Sequence, residues 1–263
     1  MIRTWMIALA ALWMATAAQA GRSCEPQKLT AQTLIRGLNL AQATAEALEA
    51  EHARSGARVV ILARAGQDLS RYRLRYSHLG FVWRAEDGRW RVLHKLNECG
   101  TPTGAVFRQG LGEFFLDDLW RYEAAWVVPT PEVQRQLLPL LADDRRAVAL
   151  NHRPYSLVSY AWGQRYQQSN QWAIETLASA MEPGVQGRDA AQAWLKFKGY
   201  QPSTLQIGAL TRLGGRMTAA NVAFDDHPNE QRFADRIDTV TVDSVFQWLG
   251  RAGLSGPVVQ LVR

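Results

Sequence analysis

Apolar side chains recur at spacings of three and four near the start of the chain: Leu34, Leu38, Ala41, Ala45 and Leu48. That period places them on one stripe of a helix. Thr30 stands where a cap is needed, and Ser55-Gly56 ends the helix near Arg54. The pattern then changes. Ala57 to Ala63 is short, apolar and β-branched, which predicts a buried strand. Gly66 to Leu74 reads as a loop. Ser77 to Arg84 and Arg89 to Leu96 form two strands about Asp87-Gly88, a hairpin signal. Asn97 to Gly112 is rich in Gly, Thr and Pro and is expected to be irregular. Glu113 to Ala125 is expected to be helical at least in part, with a strand at Trp126-Val127-Val128. Pro129-Thr130-Pro131 interrupts the chain, and Thr130 caps a helix over Glu132 to Ala142. Tyr155 to Tyr160 is expected to be extended. Ser169 caps a helix that runs to about Met181, and Arg188 to Lys198 forms another, closed by Gly199. The last sixty residues alternate short strands and helices. With no repeat and no low-complexity linker, residues 21–263 read as one α+β domain, with a C-terminal α/β extension over about residues 185–263.

Residues 1–20 belong to none of this. Arg3 precedes an apolar run from Trp5 to Ala15, and Ala18-Gln19-Ala20 supplies a small-x-small cleavage pattern. The run falls short of the ~20 residues of a membrane span. A signal peptide cleaved after Ala20 is expected, which makes the protein periplasmic or secreted. No other segment is long and apolar enough to span a bilayer. Over all 263 residues the composition is 47% hydrophobic and 21% charged, which excludes a disordered chain, a collagen and a small disulfide scaffold. The formal charge of +6 falls to +5 once Arg3 is removed. The basic residues are scattered and no nucleic-acid module is present, so a solvated basic surface is expected. The two cysteines, Cys24 and Cys99, invite a disulfide in an oxidising compartment. Closing that loop would be worth roughly 4 kcal/mol on chain-entropy grounds. The rival reading makes Cys99 a catalytic thiol.

Candidate chemistry gathers on the hairpin. His78 opens its first strand and His94 lies near the end of the second. A two-residue turn at Asp87-Gly88 would pair Phe81 with His94 and put the histidines on opposite faces, with Asn97 across from His78. A three-residue turn, Glu86 to Gly88, would pair Gly80 with His94 and put them on one face. Alternation of Leu79, Phe81, Trp83, Trp90, Val92 and Leu96 favours the first. The left-handed preference of Gly88 suits the second, and pattern alone leaves the register open. Ser169 stands at a helix start, where the positive end of the dipole favours a developing anion. A nucleophile there, an imidazole base and a group orienting that imidazole make up the logic of acyl transfer. The plainer role of Ser169 is a helix cap. Asp225-Asp226-His227 matches many loops as well as it matches a metal corner, and His52 and His152 read as surface residues. No metal and no cofactor are called for.

The order of strand, Ser77-His78-Leu79-Gly80 strand, turn, strand with His94, then a polar residue opening a helix resembles the circularly permuted papain-like fold. That fold includes NlpC-type peptidoglycan peptidases and the lecithin:retinol acyltransferase group. The resemblance covers about residues 57–181. It implies an antiparallel sheet with packed helices, an even separation of the two histidines and hence the three-residue turn that puts them on one face, His78 as base, His94 or Asn97 as its orienting partner, and a nucleophile at Ser169. Those families carry Cys at that position. A second resemblance rests on Asn97-Glu98-Cys99-Gly100, Gln109-Gly110-Leu111-Gly112, Tyr166 to Trp172 and Asp225-Asp226-His227-Pro228. These motifs are similar to an uncharacterised bacterial exported family that brings no known activity. Two functions follow as expectations. One is a non-catalytic or weakly active cleft that binds a cell-envelope peptide, lipid or partner protein. The other is a serine-dependent amide or ester hydrolase or acyltransferase acting on peptidoglycan peptides or lipids.

Overall fold

The structure, a computed structural model, describes residues 29–117 and 119–262. The proposed signal segment and Cys24 lie outside the described residues. The protein is a mixed α+β fold built on an antiparallel sheet in the order β4-β3-β2-β1-β5-β8. Its strands are β1 (Val59–Ala65), β2 (His78–Arg84), β3 (Trp90–Asn97), β4 (Gly104–Gly110), β5 (Arg121–Val127) and β8 (Val259–Val262). A small second sheet pairs β6 (Ser203–Gln206) with β7 (Arg236–Thr239).

Helices cover both faces of the large sheet. One face packs on α1 (Ala31–Ser55) and the short α2 (Leu111–Phe115), through Leu40, Leu48, Val82, Val92 and Phe114. The other packs on α3 (Pro131–Ala142), α5 (Ser169–Met181), α6 (Arg188–Phe197) and α9 (Val242–Arg251), through Phe81, Leu137, Trp172, Leu195 and Trp248. The remaining helices are α4 (Asp144–Val148), α7 (Ala209–Thr218) and α8 (Asn229–Phe233). No helix of the described residues is long and apolar enough to cross a membrane.

Local chemistry explains the element boundaries. Thr30 caps α1 by accepting from the Thr33 N–H, and Gly56 ends it in the left-handed region at φ 73°. The buried face of α1 carries Gly37, Leu40, Ala41, Thr44 and Leu48, whereas Leu34 and Leu38 of the expected stripe are exposed. Gly37 sets that rotation: an added Cβ would lie 3.0 Å from the Phe115 carbonyl oxygen, so the helix turns its glycine toward α2.

Four other expectations are corrected. The segment Asn97 to Gly112 contains β4, which pairs along β3 from Arg91–Gly110 to Asn97–Gly104. Its side chains are half-exposed, as suits an edge strand, so no apolar alternation marks it. Glu113 to Ala125 is helical only as far as Phe115, where α2 ends, and the strand expected at Trp126-Val127 starts earlier, as β5 (Arg121–Val127) held between β1 and β8. Tyr155 to Tyr160 forms turns rather than an extended run. The cap of α5 is Gln168, whose side chain accepts from the Asn170 N–H, and Ser169 is the first helical residue.

The hairpin has the three-residue turn. Arg84 pairs with Trp90 and Phe81 with Leu93, and the Ala85 N–H donates to the Arg89 carbonyl at 2.9 Å. Gly88 lies at φ 80°, the left-handed position such a turn requires. Apolar alternation pointed to the other register because it assumes one wet face. Here β2 is buried on both faces, so Val82 and Trp83 are equally satisfied.

Candidate active site

The chosen register puts His78 and His94 on the same face of the sheet. His78 Nε2 lies 2.8 Å from His94 Nδ1, and His94 Nε2 lies 2.7 Å from Gln109 Oε1. Gln109 reaches His94 from β4, where it sits diagonally across the strand pair. Phe114 covers both rings, with centroids 5.9 Å from His78 and 5.2 Å from His94. Gly80 makes room for this pair: a Cβ there would lie 2.9 Å from His94 Cβ and 3.1 Å from the Leu93 carbonyl oxygen. The glycine of the His-x-Gly motif is therefore a packing requirement of the second histidine.

Both imidazoles are held neutral. Burial pushes the His78 pKa well below its usual value, with the Arg64 guanidinium and His94 adding to it. Burial and Arg64 lower His94 to about 4, against the opposing pull of Gln109 and Asp117. Arg64 is itself buried, bonded to the Phe114 carbonyl and to Asp117. Neutrality fixes the proton order. Gln109 Oε1 can only accept, so His94 Nε2 donates to it. His94 Nδ1 then carries a lone pair and accepts from His78 Nε2–H. The proton-free nitrogen of His78 is consequently Nδ1.

The register with β3 ends at Phe81–Leu93, and α5 fills the gap beyond it. Asn170 Oδ1 accepts from the Leu79 N–H at 3.1 Å, and Asn170 Nδ2 donates to the Ser77 carbonyl at 3.3 Å. An amide side chain thus stands in for a strand neighbour and fixes the start of α5 against the start of β2. Between them lies a small cleft lined by His78, Ser169, Asn97, Arg64, Asp117 and Tyr155, among others.

Ser169 and His78 therefore share one cleft, although the hydroxyl of Ser169 is turned to another partner, the Tyr155 hydroxyl at 3.2 Å. Tyr155 is buried, which raises its pKa, while the Ser169 hydroxyl and N–H oppose that rise. It stays a protonated phenol at neutral pH. The Asn170 N–H is already engaged by Gln168 Oε1 at 3.0 Å, so α5 does not present a free row of amides. Asn97 lines the cleft but pairs with Gly104 at the end of β3; the observed register leaves the place beside His78 Nε2 to His94. Cys99 is exposed in the turn after β3 and is not part of the cleft wall. The Cys24–Cys99 pairing involves a residue outside the described ones.

Sequence reasoning did not single out Gln109, Arg64, Asp117 or Tyr155. Gln109 had one available signal, its place in a Gln-Gly-Leu-Gly motif, but reading that stretch as irregular hid its pairing with β3. Tyr155 and Arg64 reach the cleft only through tertiary packing. The Asp225-Asp226-His227 corner serves as a loop clip: Asp226 accepts from the Tyr160 N–H at 2.8 Å, and His227 Nε2 meets the Val158 carbonyl at 2.7 Å.

No curated protein and no solved structure matches the chain. A family model described as an uncharacterized protein conserved in bacteria (DUF2145) matches residues 51–249, a span that includes every residue of the cleft. The chain belongs to this DUF2145 family of bacterial proteins.

Proposed function

We propose that the protein is an exported serine-dependent amide or ester hydrolase or acyltransferase with a papain-like arrangement of its site. The observation that carries this reading is the ordered chain Gln109–His94–His78, which leaves His78 Nδ1 as a lone pair beside a cleft that also holds Ser169. Burying two histidines and an arginine costs free energy, and a purely structural wall would be cheaper to build from apolar residues. In this reading Ser169 Oγ attacks a carbonyl carbon as His78 Nδ1 takes its proton. His94 holds the imidazole ring in place and stabilises the imidazolium formed. The Tyr155 hydroxyl stands beside Ser169 as a donor for the developing oxyanion. The imidazolium then protonates the leaving amine or alcohol, and water or another acceptor releases the acyl group. Ser in place of Cys is the weaker nucleophile, so an oriented base matters more here.

One observation favours a second reading, a cleft that binds a cell-envelope peptide, lipid or protein without turnover: Ser169 Oγ is bonded to Tyr155 and not to His78. A serine-reactive fluorophosphonate separates the two. Turnover predicts labelling of the wild type at Ser169, lost in Ser169→Ala and His78→Ala. Because His78 is neutral well below its usual pKa, labelling is expected to persist below pH 6.5 rather than fall off there. Folded wild-type protein that takes no label at any pH would leave only the binding reading.

A further inference from the structure

A second, half-open groove of about 230 Å³ borders the cleft, and the two share Gln67, Ser77, Leu157 and Gln168 in their walls. That volume is many times the ~10–15 Å³ that admits one water. The groove differs from the cleft in chemistry. Its lining is predominantly aliphatic and aromatic, including Leu74, Leu157, Val158, Leu205, Ile207 and Phe224. One wall is α7 and the small sheet. On α7, Leu210 and Met217 are exposed and Arg216 lies beside Met217, while Arg212 is paired with Asp235.

We propose that this groove is the acyl-chain subsite of the same site: the substrate carries an aliphatic chain, which lies in the groove while its carbonyl reaches Ser169. The proposal rests on the acyl-transfer reading for the position of the carbonyl, and on the groove alone for the chain. Three features carry it. The groove borders the cleft and shares four wall residues with it, so one substrate can lie across both. Most of its wall is apolar, which suits methylenes, with the exposed Asp68 and Arg71 in the same lining. Its α7 wall presents Leu210 and Met217 toward solvent with the exposed Arg216 beside Met217, the composition of a surface that meets anionic amphiphiles. The larger apolar share of the wall favours the lipid-like of the two substrate classes over a peptidoglycan peptide rich in charged and amide groups.

The test reads binding, so that it stands apart from turnover. The probe is 11-(dansylamino)undecanoic acid, whose emission shifts to the blue in an apolar site. Wild type and Ser169→Ala are expected to bind it saturably and alike. Thr211→Trp, which fills the groove from α7, and Leu205→Asn, which makes its wall polar, are expected to weaken binding at least tenfold. Both positions are only partly buried, so the fold should survive either change. Competition on the wild type gives an arm that needs no variant: octanoate should displace the probe at far lower concentration than acetate. Absence of saturable binding, equal competition by the two acids, or unchanged binding in both groove variants would overturn the subsite. Binding by Ser169→Ala and wild type together with no fluorophosphonate labelling would keep the subsite and remove the hydrolase.

Discussion

His94 is fully buried yet titratable, and this ties stability to pH. In an unfolded chain its pKa is near ~6.5. In the folded protein it is about 4. Between those values the unfolded state takes up a proton that the folded state refuses, so stability is complete above the unfolded pKa and falls as pH drops through the window. The difference amounts to about 3 kcal/mol by pH 4. His78 is shifted in the same direction and deepens the loss. Urea midpoints at pH 7, 5.5 and 4.5 should therefore fall steadily for the wild type. His94→Gln, which does not titrate, should show a clearly shallower decline. At this scale the sequence was informative: two histidines of even spacing, a His-x-Gly motif and a serine at a helix start were all legible. The proton order was not, because it depends on Gln109, which reaches His94 only once β4 has paired with β3.

The central helix α5 is held by a buried polar network as well as by its apolar face. Glu175 is fully buried and accepts from Arg188 Nε at 2.8 Å, Gln192 Nε2 at 2.7 Å and Gln167 Nε2 at 2.5 Å. Gln167 passes the network on to Lys95 Nζ at 2.8 Å, and Lys95 also donates to the His152 carbonyl at 2.6 Å. Burial and Arg188 lower the Lys95 pKa to about 7, with Glu175 opposing them. These groups lock the start of α5 to β3 and so fix where Ser169 stands relative to His94. Glu175→Gln would leave Arg188 buried without its counter-charge, an effect of about 3–5 kcal/mol. The expected outcome is a large drop in the urea midpoint, with fluorophosphonate labelling reduced beyond what the unfolded fraction explains. Most elements at this scale were readable from periodicity and caps. β4 and the Arg121–Ala125 part of β5 were not: one is a half-exposed edge, and the other uses Ala and Glu in a strand that its neighbours impose.

At the scale of the whole molecule, the C-terminal residues complete a sheet begun two hundred residues earlier. β8 pairs with β5 from Glu123–Val262 to Trp126–Val259 and forms the outer edge of the sheet. Removing residues 257–263 would expose the backbone of β5 as a new edge, a template for pairing with other chains. The truncated protein is expected to lose stability and to scatter light at concentrations where the full chain stays clear. The same long-range closure puts α9 against the face that carries α5, so the C-terminal extension shares the core.

What the sequence by itself determined is what depends on near neighbours: caps at Thr30 and Thr130, the buried strand at Val59, the helix starting at Ser169, and the mixed α+β class. Each follows from side-chain period or backbone chemistry within a few residues. The tertiary structure alone decided the register of the hairpin, the pairing of β4, the rotation of α1, and the meeting of Tyr155, Arg64 and Asp117 at the cleft. Those depend on which faces are covered by other elements. Alternation cannot report that when a strand such as β2 is buried on both sides.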